Sequence, residues 1–242
     1  MKIILSRKGF DSSNSTIPSP ILPDGTMLSM PIPSDDPYTY ADYGLAETLE
    51  KLKPAKGKDS PWAQRRCHFD PDLKRGAFGQ AGAAATHLLR QGVEAEGGLF
   101  LFFGWFRRVD EQYRYCGPDF HAIYGYMLVP PGSVISDNEI ITTNYPWHPH
   151  AAPRKNNRLY IPSDWGMFKF DDDLVLTKPG QSRSRWAVQD WMRDAHITYH
   201  NGKSFIEDYF QSAAIGQEFV ITDETGQVEA WAQSLITAVP KG

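Results

Sequence analysis

The sequence predicts an α+β fold, rich in β-structure and built on a mixed sheet with a few flanking helices. Three observations lead there. The longest apolar run, GLFLFFGWF at 98–106, has the length of a buried strand. FHAIYGYMLV at 120–129 follows it after a polar connection around Cys116-Gly117-Pro118, and the pair is the strongest β-signal in the chain. Helix-type spacing, by contrast, recurs only in short segments.

In chain order, MKIILS alternates as a first strand and runs into the turn-forming segment RKGFDSSNSTIPSPILPDG. Pro18, Pro20, Pro23, Pro31 and Pro33 forbid a helix there, so an extended loop is expected. Leu45, Leu49 and Leu52 space an amphipathic helix over 42–54 that stops at Pro54. A second helix is expected from about Gln80 to Gln91, with Ala84, Leu88 and Gln91 in line and Gly92 as its cap. The two long strands come next, and turn formers then dominate 130–170. DDLVLT reads as a strand, SRWAVQDWM as a short helix, HITYH as a strand, FIEDYFQSAAIG into QEFVIT as helix into strand, and VEAWAQSLI as a last helix.

Composition narrows the function. A chain of 242 residues can bury a core without metal or disulfide staples, and a single domain over 1–242 is expected, with a Pro-rich loop at about 11–37 packed onto it. The net charge of -4 and the pI near 6.0 give no general positive field for a long duplex, so any nucleic-acid contact must be local. Cys67 and Cys116 form no CxxC pair, the N-terminus lacks the apolar run of a signal peptide, and nothing approaches the ~18 apolar residues that span a bilayer. A cytoplasmic protein with reduced thiols and no membrane partner is the expectation.

The chemistry-bearing residues concentrate in four stretches. In RRCHFDPDLKRGAFGQAG, Gly76, Gly79 and Gly82 recur every third residue at a helix start, where free amides and the helix dipole favour an anion, with Lys74 and Arg75 adding to the field. The same spacing also suits close packing of a helix on a sheet. His68, Asp70 and Asp72 alternate and would share one face of an extended strand, as a metal or acid/base set would require. Pro71 can equally break that strand and leave Asp72 capping a turn.

In NYPWHPHAAPRKNNRLY, His148 and His150 flank a rigid proline and could present both imidazoles as metal ligands, completed by His68 and Asp70 into a Zn or Mn/Fe set. They could equally anchor their loop by hydrogen bonds. Asn156 and Asn157, beside Arg154, Lys155 and Arg158, can pair with a base edge or a phosphate, or form a solvated turn. Arg7, Lys8, Asp11, Ser12 and Ser13 follow the first strand, where ligand loops are often placed. Glu218 enters an otherwise apolar strand and needs a partner if buried, in which case acid/base work is open to it.

The segments ILSRKGFDSS, PSPILPDG, PIPS, HFDPDL, GAFGQAGAAATHL, GLFLFFGWFR, HAIYGYMLV, HPH, NNRLY, SRWAV and GQEFV, in this order over nearly the whole chain, resemble the nucleotide modification associated domain 3 family. The resemblance implies bacterial or phage sequences linked to DNA base modification. It places the family's polar signature on Arg7, Lys8, Asp11, Ser12, His68, Asp70, Asp72, Gln80, His87, His121, His148, His150, Asn156, Asn157, His200, Gln217 and Glu218. GLFLFFGWFR and HAIYGYMLV are also similar to the central strands of PUA-like and EVE-like barrels. That likeness makes a PUA-like barrel the alternative to the mixed sheet and offers Trp105, Tyr124 and Tyr126 as stacking faces for an unpaired base. GQEFVIT resembles the strand carrying the catalytic Glu of DNA ADP-ribosyltransferases, which implies NAD as a cofactor, although no partner motif for NAD is found.

The leading expectation is therefore an enzyme acting on a nucleotide or an unpaired nucleobase. Lys8, Asp11, His68, Asp70 and Glu218 would be catalytic, Gly76, Gly79, Gln80, Asn156 and Asn157 would bind the nucleotide or cofactor, and His148 and His150 would hold a divalent metal. A non-catalytic reader of modified bases is the alternative, then an NAD-dependent transferase using Glu218, then a structural partner of other base-modification enzymes. A reader needs aromatics and neutral hydrogen bonders, whereas an enzyme needs titratable groups held away from water.

Overall fold

The computed structural model describes residues 1–214 and 216–242. Its centre is a seven-stranded mixed sheet. Along the sheet the strands run Asp164–Met167, Tyr115–Val129, Gly98–Val109, Lys2–Arg7, Glu218–Thr222 and His196–Ile197, with Ser19–Ile21 paired to the far half of Gly98–Val109. The first strand lies parallel to Gly98–Val109, from Lys2 opposite Gly98 to Arg7 opposite Phe103, and antiparallel to Glu218–Thr222. The two long strands pair antiparallel with a bulge at Phe102/Phe103. The α+β expectation holds in its mixed-sheet form, and among the described residues no sheet closes into a barrel.

The apolar run at 98–106 lacks polar alternation because both faces of its strand are covered. Phe100 and Phe102 point to one side, where Phe78 packs edge-on against both at 5.2 and 5.1 Å. Phe103 points to the other, against Trp186 at 5.2 Å and Phe219 at 6.1 Å. Phe78 belongs to a small sheet in which Phe78–Gln80 pairs with Arg158–Tyr160 and that strand with Val134–Ile135. Side chains on a strand alternate, so Gln80 faces the central sheet as Phe78 does, while Gly79 faces away.

The helices are α1 (Ala46–Leu52), α2 (Gly82–Arg90), α3 (Val93–Glu96), α4 (Asn138–Asn144) and α5 (Gln227–Ala238). The first two and the last fall where periodicity places them. Gly92, at φ 77, ends α2 in the left-handed conformation that a glycine cap supplies. The Pro-rich segment stays extended, forming only the short strands Ser19–Ile21 and Ile32–Pro33, and a separate apolar cluster of Phe10, Met30, Tyr40, Leu49 and Trp62 anchors it. Among the described residues no helix is long and apolar enough to cross a membrane.

Three local expectations are corrected. DDLVLT is not a strand: Asp171 caps a 3-10 turn over Asp172–Leu174, and Val175 and Thr177 make only single bridges. SRWAVQDWM is strand first, Arg185–Ala187, and then a 3-10 turn over Asp190–Arg193. FIEDYFQSAAIG is a hairpin of Phe205–Ile206 with Tyr209–Gln211, turned at Glu207 with φ 52, and Ile215 lies outside the described residues.

Candidate functional site

Where the first strand ends, Lys8 leaves the sheet but still donates its amide to Phe103 O at 2.9 Å. This close passage is possible because position 104 is glycine: a Cβ there would lie 2.8 Å from Lys8 O. The Lys8 side chain then crosses the Phe78 ring, with Nζ 4.7 Å from its centroid, and reaches Glu218 Oε1 at 2.8 Å. Glu218 is 1% exposed, and the Gln80 amide also donates to its Oε1. Its other oxygen, Oε2, is buried with no partner among the described residues. Desolvating such a pair can cost more than its attraction returns, so stability alone does not account for it and the place is a candidate site.

Next to this pair lies Asp70, at the end of the segment that carries Cys67–His68. The amide of Gly79 donates to Asp70 Oδ1 at 2.8 Å, and His148 Nε2 lies 3.2 Å from the same oxygen. His68 Nε2 lies 3.8 Å from Oδ2. Burial alone would raise the Asp70 pKa, but the hydrogen bond from His148 opposes it, and the carboxyl lies well below the usual carboxylate range.

Hydrogen bonds fix the orientation of the imidazoles. His68 Nδ1 donates to Asp36 Oδ2 at 2.7 Å, and Arg154 in turn fixes Asp36 at 2.6 Å. Asn157 donates its Nδ2 to Asn138 Oδ1 and His150 O, which leaves its Oδ1 to accept from His150 Nδ1 at 2.6 Å. His148 Nδ1 accepts from the His150 amide, which leaves its proton on Nε2, toward Asp70. Burial pushes the His150 imidazole down to about 4, so its ring is neutral at pH 7.

Lys8, His68, Asp70 and Gln80 line one cleft of about 520 Å³, together with Arg7 and Asp11. A second groove of about 530 Å³ shares Arg7, Asp11, Ser13 and Ala214 with it and extends toward Arg183, whose guanidinium lies over Trp105 at 4.4 Å.

The structure thus brings Lys8, Asp11, His68, Asp70 and Gln80 to a common cavity, with Glu218 directly behind Lys8 and Gln80. Asp11 is partly occupied locally, accepting from the Ser13 amide at 2.8 Å. The other expected binding residues lie elsewhere in their chemistry. Gly79 gives its amide to Asp70, and the amide of Gly82 donates to Lys155 O at 3.2 Å, so the anion held beside the helix entrance is the protein's own carboxylate. Gly76, at φ 71, is a turn packed on Trp165. Asn156 donates to Gly82 O and Thr86, and Asn157 is a buried brace for His150, so neither faces a cavity as a base reader.

Asp72 accepts from the amides of Lys74 and Arg75, the turn cap that was the alternative to a ligand. His148 stands behind Asp70, while His150 groups with His68 and Asp70. Of the expected stacking faces, Tyr126 is core, packed on Phe168 at 5.5 Å, and Tyr124 is buried. Sequence reasoning missed Asp36, Asn138 and the role of Gly79. Only Gly79 carried a signal, as a glycine within a strand.

The comparisons with known proteins add one decisive finding. The model of the nucleotide modification associated domain 3 family matches residues 2–222. The chain belongs to this family. No curated protein and no solved structure matches it. The family's description ties this nucleotide modification associated domain to nucleotide modification without specifying a reaction. The match spans every residue of the Lys8, Asp70 and Glu218 cluster.

Proposed function

We propose that the protein is an enzyme acting on a nucleotide or an unpaired nucleobase, with the cleft between Lys8 and Asp70 as its active site. The observation that carries this reading is that a buried ion pair and a buried carboxylate ringed by imidazoles meet the same cleft. Catalytic sites gather desolvated charge at a cavity wall. A cleft of about 520 Å³ is within the range of small-molecule sites.

In this reading the Lys8 ammonium receives the anionic part of the substrate or the charge that develops on it. Asp70 stays ionised and, with His68, presents fixed ligand-type groups to the reacting end of the substrate, since both line the cavity. Glu218 and Gln80 position Lys8, because the Glu218 carboxylate is enclosed behind them. The adjoining groove is lined by Arg7 and by Arg183, whose guanidinium lies over Trp105, and these two cations favour a substrate with a further phosphate or base, as in a single strand.

The test is to incubate the protein with nucleoside triphosphates and with single-stranded oligonucleotides, then resolve the nucleosides by liquid chromatography and mass spectrometry. A new nucleoside that depends on Lys8 and Asp70, lost in Lys8→Met and Asp70→Asn, is the expected result. Tight binding of the oligonucleotide with no mass change would make the protein a reader.

A further inference from the structure

We infer that His68, Asp70 and His150 form a binding site for one divalent first-row transition ion. Their ligand atoms all lie within 4.8 Å of one another. The surrounding bonds leave these atoms as acceptors. Asp36 takes the His68 Nδ1 proton, so Nε2, on the side of Asp70, is the ring nitrogen left to bind an ion. Asn157, oriented by its own two donations, takes the His150 Nδ1 proton and leaves Nε2 of that ring as a lone pair also. Asp70 is satisfied on Oδ1 by the Gly79 amide, with His148 Nε2 beside it, and keeps Oδ2.

Two imidazole nitrogens and a carboxylate oxygen therefore come together, a set of ligand types that one cation between them would hold. At 3.8 Å the His68 Nε2 to Asp70 Oδ2 separation is too long for a hydrogen bond but suits two atoms sharing an ion, which holds its ligands about 3.3 Å apart when each bond is about 2.1 Å.

The packing around the cluster fits the same use. A Cβ on Gly79 would fall 2.2 Å from His150 Cδ2 and 2.7 Å from its Nε2, so a side chain at 79 is incompatible with the present place of the ring. Carboxylate or amide partners on the far nitrogens of both histidines are the usual outer shell of metal ligands. Imidazole donors exclude magnesium and calcium as the preferred ions and suit zinc, iron, manganese or cobalt. Three protein ligands leave coordination positions open, and His68 and Asp70 border the cleft.

The site is testable without any knowledge of the reaction, so it fails or stands separately from the enzymatic reading. The full-length protein, stripped with a chelator and exchanged into metal-free buffer, is titrated with Co²⁺ while visible absorption is recorded, and with Zn²⁺ by calorimetry. One ion per chain is expected, with cobalt bands of low coordination number. His68→Gln, at a side chain 19% exposed and therefore tolerant of change, should weaken binding by tenfold or more while preserving the circular dichroism spectrum. Asp36→Asn should weaken it by roughly 10–100-fold through the orientation of His68. Absence of stoichiometric binding, or His68→Gln binding as tightly as the wild type, would overturn the inference.

Discussion

Lys8 Nζ lies 2.8 Å from Glu218 Oε1, joining the end of the first strand to the start of the strand beside it, and both side chains are almost wholly removed from water. Removing one member of such a pair leaves the other as an uncompensated buried charge. Lys8→Met should therefore destabilise the protein by about 3–5 kcal/mol. The double variant Lys8→Met/Glu218→Gln should recover much of that loss. Urea unfolding of the three proteins measures it, and a double variant no more stable than Lys8→Met would contradict the account.

Gly79 and Gly82 predict different outcomes for the same substitution. Gly79→Ala must displace the His150 ring, at a cost of about 1–3 kcal/mol. Gly82 has φ +59 and open space around it, so alanine there meets only backbone strain of about 1–2 kcal/mol. Thermal melts compare their stability, and the sharper distinction is in ion binding: Gly79→Ala should impair it and Gly82→Ala should not.

His121 makes stability depend on pH. Trp186 Nε1 donates to its Nδ1 at 3.1 Å, and burial, reinforced by the charges of Arg7 and Arg183, pushes its pKa down to about 3. The unfolded chain takes up this proton near its ordinary value of 6.5, and the folded chain does not until about 3. Between those values the unfolded state binds more protons, so stability falls as pH falls, by up to about 1.4 kcal/mol per pH unit from this residue. His121→Gln, which can still accept from Trp186, should flatten the fall in unfolding free energy between pH 6 and 4, as followed by denaturant titration at each pH. An unchanged slope would remove His121 as its source.

The sequence displays the central sheet because its long strands carry their own signal: an unbroken apolar run at 98–106 is what burial on both faces demands. The hairpin at 205–211 is illegible for a local reason, since Glu207 turns it at φ 52 with none of the Asn-Gly or Gly-Gly pairs that announce such a turn. At the site, Glu218 stands out as one charge in an apolar strand, and its need for a partner follows from burial; that the partner is Lys8 depends on the pairing of strands 210 residues apart. His68 and Asp70 are visible as an alternating pair, but Asp36 and Asn157, which orient the imidazoles, are joined to the histidines only by tertiary structure. The glycine spacing suggests a phosphate seat because free amides at a helix start look alike in sequence, whether they meet a ligand or, as here, an internal carboxylate.

Hydrogen–deuterium exchange locates the active site. Exchange is followed by mass spectrometry with and without a saturating single-stranded oligonucleotide, and in parallel with a nucleoside triphosphate. Protection confined to peptides carrying Arg7 to Asn14, His68 to Gln80 and Gly216 to Glu218 is the predicted result. Protection elsewhere, with these segments unchanged, would contradict it.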